Sequence, residues 1–233
     1  MDWFEFGIAG ALFLLTHHLP TVPSVRRRLV HIMGRLAFAL TYSTLSLVML
    51  AWLIVAAGRA PYAPLWSTEP WQPWVPLLGM PVACALLVFS IGVPNPLSFG
   101  GGNERLFDPE RPGFVGFVRH GLLWALVIWS ASHIPPNGDL AHVILFGSFA
   151  AFAFLGMIII DRRKQRQCGM PEWQRLAQKT SFWPGQSLIL RRWEPTAAEL
   201  RHAYLQRGFL AVSVFVVLLG THVWVIGVSP LPW

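Results

Sequence analysis

Charge is what this chain has least of. Asp, Glu, Lys and Arg make up 12% of its 233 residues and 54% are hydrophobic, against about 25% charged in soluble domains. That balance excludes an ordinary soluble domain and points to a membrane protein. Acids are scarcer still. None lies in the core of an apolar run, and Asp139 and Asp161 only flank one, so paired-carboxylate acid–base chemistry and carboxylate proton relays are disfavoured. Cys84 and Cys168 form no metal or c-type haem spacing, and their different depths argue against a disulfide. No serine sits in a G-x-S-x-G context, which excludes the usual hydrolase elbow. There is no H-E-x-x-H for zinc proteolysis, and no Lys-Ser/Thr follows Gly100-Gly101-Gly102 to make a phosphate-cradling loop. The first apolar run opens on Asp2 and Glu5 instead of a basic region and has no small-residue cleavage site, unlike a cleavable signal peptide. No internal repeat or low-complexity tract is evident.

What is present in quantity is apolar sequence in runs. Crossing about 30 Å of hydrocarbon takes about 20 such residues. The candidates are Trp3–Leu19, Leu36–Ala57, Trp74–Val93, Phe117–Ile134, Leu140–Ile160 and Gly208–Val228. They predict an all-α fold: a polytopic membrane bundle of about six transmembrane helices, forming a single integral membrane domain over 1–233. All but Arg59 of the 18 basic residues fall in alternate loops. They are Arg26–Arg28 with Arg35, then Arg105, Arg111 and Arg119, then ten from Arg162 to Arg207. The positive-inside rule makes those loops cytoplasmic and both termini periplasmic, the arrangement of a multi-pass inner-membrane protein. A net charge of +7 would suggest nucleic acid in a soluble chain. Here it faces lipid, and no nucleic-acid partner is expected. The segment 161–207, with Trp173, Trp183 and Trp193 among arginines, reads as a basic loop lying on the inner membrane surface. Trp66, Trp71 and Trp74 read as an outer aromatic belt.

Histidine is the one concentrated chemical resource. His17 and His18 end the first run, His120 opens the fourth, His133 nearly closes it, and His142 begins the fifth. Imidazoles from two helices can clamp a haem iron. Each can equally be a polar helix end bonded to a neighbour or a headgroup. On one helix His120 and His133 lie about 20 Å apart and cannot share an iron. With the N-terminus outside, His17 falls at the inner end of its span and meets His120 more readily than His133. Arg26–Arg28, Arg35 and Arg119 on that side could pair with haem propionates.

The block R119-H120, W129-S-A-S-H133, N137-G-D139, F146-G-S-F149 and D161-R-R163, with H17-H-L upstream, resembles the NnrU family of bacterial inner-membrane proteins. The stretch C168-G-M-P-E-W-Q-R-L-A-Q-K-T180 with Pro184 also resembles the related 15-cis-zeta-carotene isomerase of plants and cyanobacteria. The first resemblance implies a role tied to nitrite and nitric oxide reduction in denitrification, with a redox partner protein. The second implies haem b, a hydrophobic polyene substrate and axial ligands at His17 and His133. Ser130 stands where the isomerase has cysteine, Phe152 where it has histidine and Gly121 where it has proline, and His142 has no counterpart. These departures weaken transfer of the isomerase chemistry more than transfer of the fold. His17–His120 and His17–His133 both remain open as axial pairs. So does a cofactor-free assembly factor of a reductase, in which the histidines only cap helices. The R-H start of the fourth span also faintly resembles integral-membrane methyltransferases.

Overall fold

A computed structural model describes residues 3–100 and 102–232, with side chains placed at all of them except 21 and 197–203. Asp2, Gly101 and Trp233, which entered the sequence reading, lie outside the described residues. The chain runs through α1 (Trp3–His18), α2 (Pro23–Met33), α3 (Arg35–Arg59), α4 (Trp74–Ser90), α5 (Phe114–Phe117), α6 (Gly121–His133), α7 (Leu140–Cys168), α8 (Met170–Ala177), α9 (Gln186–Ile189) and α10 (Ala197–Ile226). Among the described residues the only β pairing is one isolated bridge, Pro64 with Asp139. The helices part into two units. One holds the residues up to Ser67 with Asn137–Leu145, and the other Thr68–Pro136 with the rest of the chain from Phe146.

Every apolar run becomes a helix, but the helices differ in length more than the runs do. Among the described residues three are long and apolar enough to cross a membrane: α3, α7 and the Tyr204–Ile226 part of α10. A fourth arises if α1 and α2 are counted together as one pair bent by 76°. The expected run Phe117–Ile134 yields only the 13 residues of α6, about 20 Å, because Val118 is extended (φ −155°, ψ 124°). The Arg119 amide there donates to the Ser181 carbonyl instead of opening a helix. The 17 residues of α4 reach about 25 Å.

In the first unit α1 packs along α3. Its one interior acid, Glu5, accepts a hydrogen bond from the Trp52 indole at 3.3 Å and faces the Arg59 guanidinium at 3.9 Å. Arg59, the exception in the charge map, thus stands beside a carboxylate. Arginines 26–28 lie on α2, which turns away from α1 after Pro20 and buries none of its residues. The polar turn Asn137–Asp139 is tied to the chain after α3. Leu65 N donates to Gly138 O at 2.7 Å, and Leu140 N to Ala63 O at 2.9 Å. A side chain at Gly138 would press on the Trp66 ring and carbonyl at 2.8 Å.

In the second unit α4 lies between α6 and α10. A buried cluster joins Leu86 of α4, Leu123, Trp124 and Ala125 of α6, and Ala153 and Met157 of α7. Small residues let α4 and α6 approach at both ends. A Cβ on Gly79 would sit 2.8 Å from the Ser132 Cβ, and one on Gly121 would collide with the Ser90 hydroxyl. Arg207 of α10 donates to the Val88 and Ile91 carbonyls at 2.8 and 3.0 Å, placing a cation at the C-terminal, negative end of α4. Beyond Asp161, α7 continues to Cys168 and breaks at Gly169 (φ 81°), a backbone angle that glycine alone adopts readily. The basic segment is therefore partly the end of a long helix. Of its three tryptophans, Trp193 is buried while Trp183 is half exposed.

The close approach of α4 and α6 gives a sign test. Gly79→Ala should lower stability in detergent by about 1–3 kcal/mol through overpacking. Gly7→Ala, whose new Cβ meets nothing within 4 Å, should be neutral or raise it by up to about 1 kcal/mol. Thermal unfolding of both variants checks this, and equal melting would contradict the packing.

Candidate functional site

At the entry to α6 the chain places two ionisable side chains side by side, and both point inward. His120 is fully buried and Arg119 is 6% exposed. An isolated buried charge is costly, so a partner is required, and α7 supplies it in Asp161. One carboxylate oxygen accepts from Arg119 Nη2 at 2.9 Å, and the other is 3.0 Å from His120 Nε2. An ionised carboxylate can only accept, so Nε2 carries the proton. In the neutral ring Nδ1 then accepts from the Ser98 hydroxyl at 2.9 Å.

The rest of the network is built from loop residues. Arg119 Nη1 donates to Thr180 Oγ1 at 3.0 Å, and that hydroxyl donates on to the Ala177 carbonyl at 2.9 Å. Asn95 Nδ2 donates to the Arg119 carbonyl at 2.9 Å. The guanidinium also lies over the Trp173 ring, 5.3 Å from its centroid. The Gly/Pro-rich loop after α4 and the basic segment after α8 are thus fastened to one carboxylate. Ser98–His120–Asp161 has the connectivity of a charge-relay triad. However, the imidazole is wholly enclosed, Ser98 is 7% exposed, and the carboxylate is shared with an arginine. The arrangement works as a lock between helices.

The sequence-predicted residues separate into two sets. His120 and Arg119 belong to this lock: both imidazole nitrogens are engaged, and the guanidinium is turned toward Asp161 and Thr180, not toward a propionate. His133 sits at the far end of α6. Its Nδ1 lies 2.7 Å from the Trp129 carbonyl, which only accepts, so Nδ1 carries the proton and Nε2 the lone pair. The ring stacks on Phe146 at 5.3 Å, and Trp129 stacks on Phe149 at 5.9 Å. One turn back, the buried Ser130 hydroxyl has no hydrogen-bond partner among the described residues. His17 belongs to the first unit, stacked on Phe13 at 5.5 Å and tilted against Tyr42 at 5.9 Å. His142 lies in a helix cap: its amide and its Nδ1 both donate to the Asp139 carboxylate, at 3.2 and 2.7 Å.

For haem b, the donor set fits at His133 and does not fit at His120. An imidazole whose Nδ1–H is held by a carbonyl is the usual form of a metal-binding histidine. One with a carboxylate on one nitrogen and a hydroxyl on the other must break the lock to bind iron. Among the described residues no group of three or more His, Cys, Asp or Glu converges on one point.

Sequence reasoning missed Asp161, Ser98, Asn95 and Thr180. The available signal was that Asp161 ends the fifth run on the same side as Arg119 and His120 begin the fourth. Asp161→Ala should cost about 3–5 kcal/mol by leaving a buried guanidinium unpaired, and Ser98→Ala about 1 kcal/mol. Unfolding in detergent measures both, and an Asp161→Ala protein as stable as wild type would refute the lock.

Neither the curated proteins nor the solved structures searched contain a match to this chain. The sequence profile of the NnrU protein family matches residues 5–230, which include all three helices of spanning length, the Asp161 lock and the aromatic setting of His133. The chain belongs to the NnrU family.

Proposed function

We propose that this protein is a six-span bacterial inner-membrane haem-b protein. It would serve a redox or sensing step tied to nitrite and nitric oxide reduction, with His17 and His133 each a candidate haem ligand. The observation that carries the reading is the setting of His133: its Nδ1–H is held by the Trp129 carbonyl and its ring stacks on Phe146. Family membership supports the denitrification context. When bound, haem b would supply a one-electron couple, which suits electron transfer or a switch. The Trp129 carbonyl fixes the direction of the His133 ring, and Phe146 and Trp129 exclude water from it. Phe13 and Tyr42 do the same for His17. In this reading Arg119 and His120 shape the fold and are not ligands. The six-span topology keeps α4 and α6 as spans in spite of their length, through local thinning of the bilayer.

A cofactor-free assembly factor is the second reading. It is favoured by His120 and His142, both of which serve the fold.

Spectra of the purified full-length protein separate these readings. Wild type should show a Soret band that shifts on reduction. His133→Ala and His17→Ala should lose it or convert it to a form with one open axial site. His120→Ala should keep the spectrum per folded molecule while losing about 1–3 kcal/mol of stability. A colourless wild type would support the assembly factor, and loss of colour in His120→Ala alone would reverse the ligand assignment.

Orientation is tested separately. Reporters fused after Arg59 and at the C-terminus should read periplasmic, and those after Arg28 and Arg163 cytoplasmic. A cytoplasmic C-terminus would overturn the six-span count.

A further inference from the structure

On the arginine-rich side of the second unit lies a cavity of about 940 Å³ that the lock does not use. Arg111, Lys179, Arg191 and Arg192 line it, with Glu110 and Glu194 as the acids. Glu110 is already engaged, accepting from Lys179 Nζ at 2.7 Å and Gln178 Nε2 at 3.0 Å. That leaves three guanidiniums, Arg111, Arg191 and Arg192, with no ion pair among the described residues and one further carboxylate, Glu194, on the wall. Arg192 also adds its positive field to the buried Arg119. Like charges gathered at one hollow repel unless something anionic enters it.

The two adjacent arginines are held there by construction. Arg191 has φ 50°, the one non-glycine residue in the left-handed region among those described, a conformation unfavourable for an L-residue. The turn persists because its surroundings are anchored. Arg192 N donates to Ser187 O at 2.8 Å, and the Ser181 and Ser187 hydroxyls both donate to the Gly116 carbonyl. Trp193 packs where Gly116 has no side chain: a Cβ there would come within 2.5 Å of the indole. A non-glycine residue kept in such a conformation by buried anchors points to a use for its side chain.

We propose that this cavity binds the phosphate group of an anionic ligand, held by the guanidiniums of Arg111, Arg191 and Arg192. Planar guanidinium forks match phosphate oxygens in bidentate fashion, and the cavity has room for what the phosphate is attached to. The phosphate belongs either to an anionic lipid headgroup or to a soluble phosphate compound, and these two sources are separable.

Full-length protein in uncharged detergent is titrated with short-chain phosphatidylglycerol, with short-chain phosphatidylcholine as the zwitterionic control, and separately with inorganic phosphate. Saturation by phosphatidylglycerol alone assigns the site to lipid, and saturation by inorganic phosphate assigns it to a soluble compound. Arg192→Gln and Arg191→Gly should each weaken the saturating ligand about tenfold. Arg191→Gly accepts the positive φ without strain, so its folding is preserved while the charge is lost. Arg105→Gln, outside the cavity lining, should bind as wild type. Absence of saturation in both arms, equal binding of phosphatidylcholine, or an equal loss in Arg105→Gln would overturn the proposal.

Discussion

Asp161 makes a single carboxylate answerable for three segments far apart in sequence. It sits near the end of α7, 8% exposed, and its two oxygens take the guanidinium of Arg119 and the ring of His120. Burying these groups opposes folding, and their mutual attraction with the added bonds from Ser98 and Thr180 offsets that cost. An apolar set of the same volume could hold α6 against α7 equally well. It could not select which turn of α7 faces His120, because apolar contacts tolerate sliding by a turn and a directed ion pair does not. The same carboxylate holds Arg119 and His120 in the turn that precedes α6, which begins at Gly121.

This constraint divides the histidines by role. His120 lies in the lock and His142 in a helix cap, and each has an acid on its ring. His133 and His17 lie among aromatic rings, and the His133 Nδ1 is bonded to a carbonyl of its own helix. Both ring nitrogens of His120 are engaged, by Asp161 and by Ser98, whereas the His133 ring is oriented by the carbonyl on its Nδ1. Thirteen residues of one helix therefore connect an end bonded to Asp161 with an end set among aromatic rings.

Much of this was legible in the sequence, for physical reasons. Apolar runs form helices in lipid because backbone groups must be satisfied internally, and each of the six runs holds a helix, although α6 starts late at Gly121, α7 continues past Ile160 to Cys168 and α10 starts early at Ala197. The length of α6 was not legible, since nothing local in Phe117–Arg119 forbids a helix and the extension is imposed by Ser181, sixty residues on. Asp161 was discounted as a flanking acid, although its position on the side of Arg119 carried the information. Counting charges found the basic segment but not that Trp193 is buried in it, which depends on the missing side chain at Gly116.

The unequal helices have a consequence for the surrounding lipid. At 29 residues α7 runs about 43 Å, roughly twice the length of α6, and the last part of it carries Arg162, Arg163, Lys164 and Arg166 into the headgroups. Leu78 and Val82 on the short α4 are exposed, and in the six-span topology proposed above acyl chains beside them would tilt or compress to match about 25 Å of apolar surface. The water boundaries on the two sides of the bilayer would then be drawn together around this face. An electron or a proton entering there would have a shorter insulating path to cross than an undeformed membrane presents.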